Sequence, residues 1–148
     1  MDRTGTRMDQ PEANREQSIQ REIGVTPHRH GLLASFKFAF AGIGYLFRTQ
    51  RNARIHLIIG AAACLLGGWL RLPRYDWAIL LMTIAGVIIL EGLNTALEAV
   101  VDLASPQMHP LAKIAKDVSA GMVLVAAIAS VGIGLLILGP PLWIRIVH

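Results

Sequence analysis

Residues 77–102, WAILLMTIAGVIILEGLNTALEAVVD, constrain this chain more than any other stretch. The first half is continuous apolar sequence, long enough to enter a bilayer. The second half carries Glu91, Asn94, Thr95, Glu98 and Asp102. At about 100° per residue these five share a stripe of roughly 100° on one helix face. Leu93, Ala96, Leu97, Ala99, Val100 and Val101 take the other faces. Acids this deep in an apolar helix are costly, so they face protein or a water-filled cavity and mark a site. An acidic helix end emerging into water accounts for Asp102 equally well. It accounts poorly for Glu91, which directly follows LLMTIAGVIIL.

The stripe also has a depth. With Trp77 as an anchor at the outer interface, Glu91 lies about 21 Å further along and Glu98 about 32 Å, at ~1.5 Å per residue. Against a hydrocarbon core of roughly 30 Å, Glu91 is inside the inner edge and Glu98 stands at the boundary with water. One helix face thus offers a carboxylate to the lipid layer and another to the aqueous side. That arrangement suits a reaction joining a lipid to a soluble partner.

The rest of the chain agrees with a membrane setting. Hydrophobic residues make up 53% and charged residues 16%, and the apolar residues come in long blocks rather than in amphipathic alternation. The expected fold is an all-α integral membrane protein: three transmembrane helices plus an N-terminal amphipathic surface helix. Residues 1–27 are polar, mixed in charge and without an apolar run, which predicts a mobile cytoplasmic tail. Residues 28–148 form the membrane domain. Within it Leu33, Phe36, Phe40, Ile43 and Phe47 recur at spacings of three and four, predicting a surface helix over 31–54. A helix that covers the bundle would carry the same pattern. Spans are expected at about 55–70, 77–104 and 114–138, with Gly139-Pro140-Pro141 ending the last. The first is short for the roughly 20 residues needed, so Arg54 and Arg71 are expected to snorkel to the interfaces.

The net charge of +4 comes largely from Arg and Lys in the N-terminal third. In such a chain it is topology information and no nucleic-acid signal. Placing the N-terminus and the 103–113 loop inside leaves only Arg71, Arg74 and Arg145 outside, with the C-terminus. Trp69, Trp77 and Trp143 then form one belt at the outer interface. Cys64 is the only cysteine, so neither an intrachain disulfide nor a cysteine metal site is available.

This topology gathers Glu91, Asn94, Glu98, His109, Lys116 and Asp117 at the cytoplasmic side. Acids with a lysine can bind a divalent cation and a polyphosphate, since Mg²⁺ takes one or two carboxylates plus phosphate oxygens and water and lysine supplies a point charge to phosphate. A desolvated carboxylate at the lipid edge is suited to take a proton from a lipid hydroxyl. A charge-compensated helix contact, with Lys116 neutralising Glu98 or Asp117, is the competing account. No GxxxxGK[ST] loop is present.

The pattern Glu91-Gly-Leu-Asn94-Thr-Ala-Leu-Glu98-Ala-Val-Val-Asp102, followed by Ala115-Lys116-Asp117, resembles the signature of the prokaryotic membrane diacylglycerol kinases and undecaprenol kinases. The likeness runs from about Gly31 to Leu138. It implies a homotrimer in the prokaryotic inner (plasma) membrane, with cytoplasmic active sites shared between subunits. The implied activity is transfer of the γ-phosphate of MgATP to a lipid alcohol, diacylglycerol or undecaprenol, feeding phospholipid or cell-wall lipid-carrier metabolism. By position, Glu91 would be the general base and Glu98 a ligand of Mg²⁺ and nucleotide. Asn94 would position groups beside them, Lys116 and Asp117 would contact ATP, and Gln107, Met108 and His109 would lie near the nucleotide. One position departs from the pattern. Gln50 stands where the family commonly has a second metal-binding Glu, and a neutral amide is a poorer Mg²⁺ ligand than a carboxylate. A small proton- or ion-coupled carrier, with Glu91 and Glu98 relaying protons, is the alternative from another class.

Overall fold

Four helices carry the described chain: α1 (Leu32–Thr49), α2 (Arg51–Leu70), α3 (Arg74–Ala104) and α4 (Pro110–Val147). The structure is a computed structural model that describes residues 14–15, 31–107 and 109–147. Most of the expected tail at 1–27 lies outside the described residues, as does Met108. The chain divides into two units, residues 1–38 and 39–148. Within the first, Ala34 and Ser35 donate backbone hydrogen bonds to the Gly31 carbonyl and open α1.

α2, α3 and α4 are each long and apolar enough to cross a membrane, whereas α1 is not such a span. Together they give the expected multi-pass membrane fold. The helix boundaries differ most from expectation in three places, each with a local cause. Gln50 adopts an extended backbone between α1 and α2 (φ −95°, ψ 115°), so the expected 31–54 helix ends at Thr49 and Arg51–Arg54 open α2 instead. With 20 residues α2 reaches about 30 Å, and the expected shortfall disappears. Pro110 is the first residue of α4 rather than part of the loop. Its missing N–H costs nothing there, and the His109 carbonyl accepts the first bonds, from Ala112 and Lys113.

The third difference corrects the expected stop at Gly139-Pro140-Pro141. α4 continues through both prolines to Val147. Two adjacent prolines remove two i→i−4 bonds, but the turns around them are held by packing. Ile137, Leu138 and Leu142 lie against a buried cluster of Leu70, Leu72 and Leu80, together with Leu66, Trp77 and Ile84.

Unit 39–148 is built from α3 packed between its neighbours, with α4 as its most extensive partner. Gly60 lets α2 approach α3 closely: a Cβ there would come within 2.9 Å of Ile84 Cγ2. At the α2–α3 corner Arg71 takes a left-handed conformation (φ 56°), and the Leu72 and Arg71 amides bond the Gly67 and Gly68 carbonyls. This is the αL stop that usually falls to glycine. Beside it Arg145 stacks over Trp69, 5.1 Å from the ring centroid. The ends of α2 and α4 thus meet beside Trp69. Elsewhere the bundle turns large apolar side chains outward, and α4 buries only Val123 outright among its described residues. A lipid solvent accounts for such a surface.

Candidate active site

Glu91 is the most buried charged residue described, with 2% of its surface exposed. It sits in the middle of α3 between two other buried positions, Val87 and Thr95. Its Oε1 lies 3.4 Å from His56 Nε2 on α2. That separation brings the pair into electrostatic contact without hydrogen-bond geometry, and Oε1 has no hydrogen-bond partner. A buried carboxylate oxygen left unmatched is costly, which makes Glu91 a candidate functional residue.

One turn further on, the polar stripe becomes a connected array. Asn94 Nδ2 donates to Glu98 Oε1 at 3.1 Å. Across the helix contact, Ser119 Oγ on α4 lies 2.6 Å from Asn94 Oδ1 and 2.9 Å from the Lys116 carbonyl. Thr95, also a member of the stripe, does not join the array. Its hydroxyl donates to the Glu91 carbonyl at 2.9 Å, a bond within its own helix.

The cations are arranged differently from the charge-compensated contact considered above. Lys116 Nζ pairs with Asp102 Oδ1 at 2.7 Å, and Lys113, rather than Lys116, pairs with Asp117 at 2.6 Å. Lys116 therefore bridges α3 and α4 at the polar end of the stripe. Gln107 and His109 lie exposed in the connection between these helices. The His109 amide bonds Ser105 Oγ, and its Nδ1 accepts from the Leu111 amide. Gln50 is half-buried at the start of α2, and its side chain makes no capping bond. Among the described residues no three His, Cys, Asp or Glu side chains gather to hold a metal ion. The donor set lacks a metal cage made by the protein alone. It is compatible with Mg²⁺ arriving on phosphate groups, because that ion needs few carboxylates and keeps its waters.

Two cavities meet at His56. One, of about 270 Å³, is lined by Asn52, His56, Glu91 and Asn94 with Ala120, Val123, Leu124 and Ala127. The other, of about 320 Å³, extends from His56 along Gly60, Val87 and Gly134 to Leu142. Its two hydroxyl-bearing lining residues, Thr83 and Ser130, spend their hydroxyls on carbonyls of their own helices. The apolar groove and the cavity that Glu91 lines therefore share His56.

Residues 37–138 match the family described as prokaryotic diacylglycerol kinase, well over half of the chain. The chain belongs to that family. Among relatives, a diacylglycerol kinase of Synechocystis sp. is 54% identical over 112 residues, covering 75% of this chain and 64% of the relative. An undecaprenol kinase of Bacillus subtilis is 43% identical over 118 residues, covering 78% of this chain and 96% of the relative. A diacylglycerol kinase of Escherichia coli is 36% identical over 69 residues, covering 47% and 57%. The chain thus spans less than two thirds of the Synechocystis protein's length and nearly all of the Bacillus protein's. The matched residues include the whole polar stripe on α3. Two polar contacts of that stripe, His56 and Ser119, went unassigned in the sequence. His56 carried a usable signal, since an ionisable residue within a span is a site candidate by default. Ser119 carried none, being one small residue among many on α4.

Proposed function

We propose that this protein is an integral membrane lipid kinase, transferring the γ-phosphate of MgATP to the hydroxyl of a lipid alcohol. The observation that carries this reading is the junction of the two cavities. An apolar groove fits a hydrocarbon tail, and it shares His56 with the cavity lined by the buried, unmatched carboxylate of Glu91. A lipid hydroxyl delivered there meets a general base held out of water. Phosphoryl transfer needs positioning and charge stabilisation more than covalent chemistry.

In this reading Glu91 removes the hydroxyl proton as the oxygen attacks the γ-phosphorus. Asn94 holds Glu98, which faces the Mg²⁺ carried by the nucleotide. Lys116, Asp117 and the 107–109 segment bind ATP, and Gln50 contributes at most a neutral oxygen to the metal. The N-terminus and the polar end of α3 face the cytoplasm, as the excess of Arg and Lys at that end favours. The active unit is a homotrimer with sites completed between subunits, for which the outward apolar faces of α4 supply contact surface. The substrate is diacylglycerol or undecaprenol, the alcohols named by the two most extensive matches reported above.

A proton- or ion-coupled carrier would need a polar path across the membrane. From His56 to Leu142 the groove is lined by aliphatic side chains and by hydroxyls already bonded to backbone. The test is direct: purified protein in micelles, ATP labelled in the γ-phosphate, and diacylglycerol or undecaprenol offered side by side. Label in one lipid phosphate is expected. Label in neither overturns the reading.

A further inference from the structure

Glu91 has a burial problem that the kinase reading does not solve. A general base must hand on its proton after each turnover, and this one is 2% exposed. Its acidic neighbour Glu98 is one of the two ionisable groups that act on it electrostatically, and the Oε1 of Glu98 is already taken by Asn94. The other is His56. From α4 the cavity receives only Ala120, Val123, Leu124 and Ala127, and the nearest lysine along that helix, Lys116, is engaged by Asp102. His56 Nε2 stands 3.4 Å from the unmatched Oε1, with 21% of its side chain exposed against 3% for Glu91. It also lines the polar cavity and the apolar groove alike.

We propose that His56 is the proton partner of Glu91, a positioning residue that takes over the proton which Glu91 removes from the lipid hydroxyl. The inference rests on the lipid-kinase reading. In the transfer, the lipid O–H bond breaks while a bond forms from that oxygen to the γ-phosphorus. The bond from the γ-phosphorus to the bridging oxygen breaks, and its electron pair leaves with ADP. The proton moves to Glu91 and then, as the 3.4 Å separation closes to a hydrogen bond, from Oε1 to the unprotonated Nε2 of His56, restoring the carboxylate. The transfer turns two uncharged groups into an imidazolium beside a carboxylate, and their mutual attraction offsets part of the cost of separating charge there. His56 then loses the proton to water in the cavity that Asn52 and Asn94 line.

The experiment compares kcat and the KM for ATP in wild type, His56→Gln, His56→Ala, Glu91→Gln and the double variant His56→Gln/Glu91→Gln. Glutamine keeps a donor near Oε1 but cannot carry the proton. His56→Gln is expected to lower kcat at least ~10-fold with the KM for ATP little changed. In the Glu91→Gln background the same substitution should cost less than about twofold, because its partner has already gone. Added imidazole, small enough for the cavity left by His56→Ala, should restore part of that variant's kcat and none of Glu91→Gln's. An active wild type whose His56→Gln variant keeps full kcat overturns the relay alone. So does an equal loss in both backgrounds with no imidazole rescue, which is the mark of a packing role. A wild type that labels neither lipid overturns the kinase reading and the relay with it.

Discussion

Ser119 on α4 reaches across the helix contact to Asn94 on α3, with Oγ and Oδ1 2.6 Å apart. The contact orients the amide: with its oxygen toward Ser119, its NH₂ faces Glu98 at 3.1 Å. A residue outside the α3 stripe thus sets which end of Asn94 the acid meets. Ser119→Ala should loosen the array at a cost of about 1 kcal/mol, and kcat should fall several-fold. Ser119→Thr keeps the hydroxyl and should stay near wild type. Steady-state kinetics on both, with thermal melting in micelles, check this; equal kinetics in the alanine variant would remove Ser119 from the array.

Glu91→Gln keeps the shape of the side chain and removes the base. Turnover should fall at least ~10²-fold while nucleotide affinity changes little. A lipid-phosphorylation assay paired with nucleotide binding checks it, and near-normal turnover would end the general-base assignment.

Lys116 and Asp102 form an inter-helix pair at 2.7 Å. Exposed pairs of this kind add little stability, so the lysine's larger value lies in what else it meets. Lys116→Ala should raise the KM for ATP about 10-fold with a smaller change in kcat. Asp102→Asn should leave folding intact and shift the KM less. If both variants lose only yield or oligomer while specific activity holds, the pair is structural.

Gln50 calls for a Mg²⁺ titration. Gln50→Glu should lower the Mg²⁺ concentration for half-maximal activity, since a charged oxygen is the better ligand. Gln50→Ala should raise it slightly. A higher KM for ATP in Gln50→Glu, with no easing of the Mg²⁺ requirement, would assign the side chain to the nucleotide instead. Identical Mg²⁺ curves in all three proteins would place Gln50 outside the metal site.

Much of this was legible in the sequence because membrane helices advertise themselves. The long apolar blocks of α3 and α4 leave few other folds open, and acids at one helical spacing after such a block mark a site. Helix ends were less legible. Proline signals breakage in water, yet Pro140 and Pro141 lie inside α4, where packing on Leu70, Leu72 and Leu80 outweighs two lost bonds. Gln50 has no breaker character, and the sequence offers no reason for the chain to interrupt its helix there. The pairing of Lys116 with Asp102, and of His56 with Glu91, depends on how α2 and α4 rotate against α3. Single-helix periodicity carries no information on that rotation.

α3 runs without a break from Arg74 to Ala104, so the spacing between Trp77 and Glu91 is a fixed length on a rigid rod. A membrane cannot change that length; it can only make the rod lean or deform around it. In the proposed topology, bilayer thickness thereby becomes a setting on the proposed reaction. In a thicker bilayer Glu91 sinks further from the headgroups, and in a thinner one it rises toward water. Homologous bilayers of increasing acyl-chain length should then give a turnover curve with a maximum. An extra helical turn between Trp77 and Glu91, about 5.4 Å, should move that maximum toward longer chains.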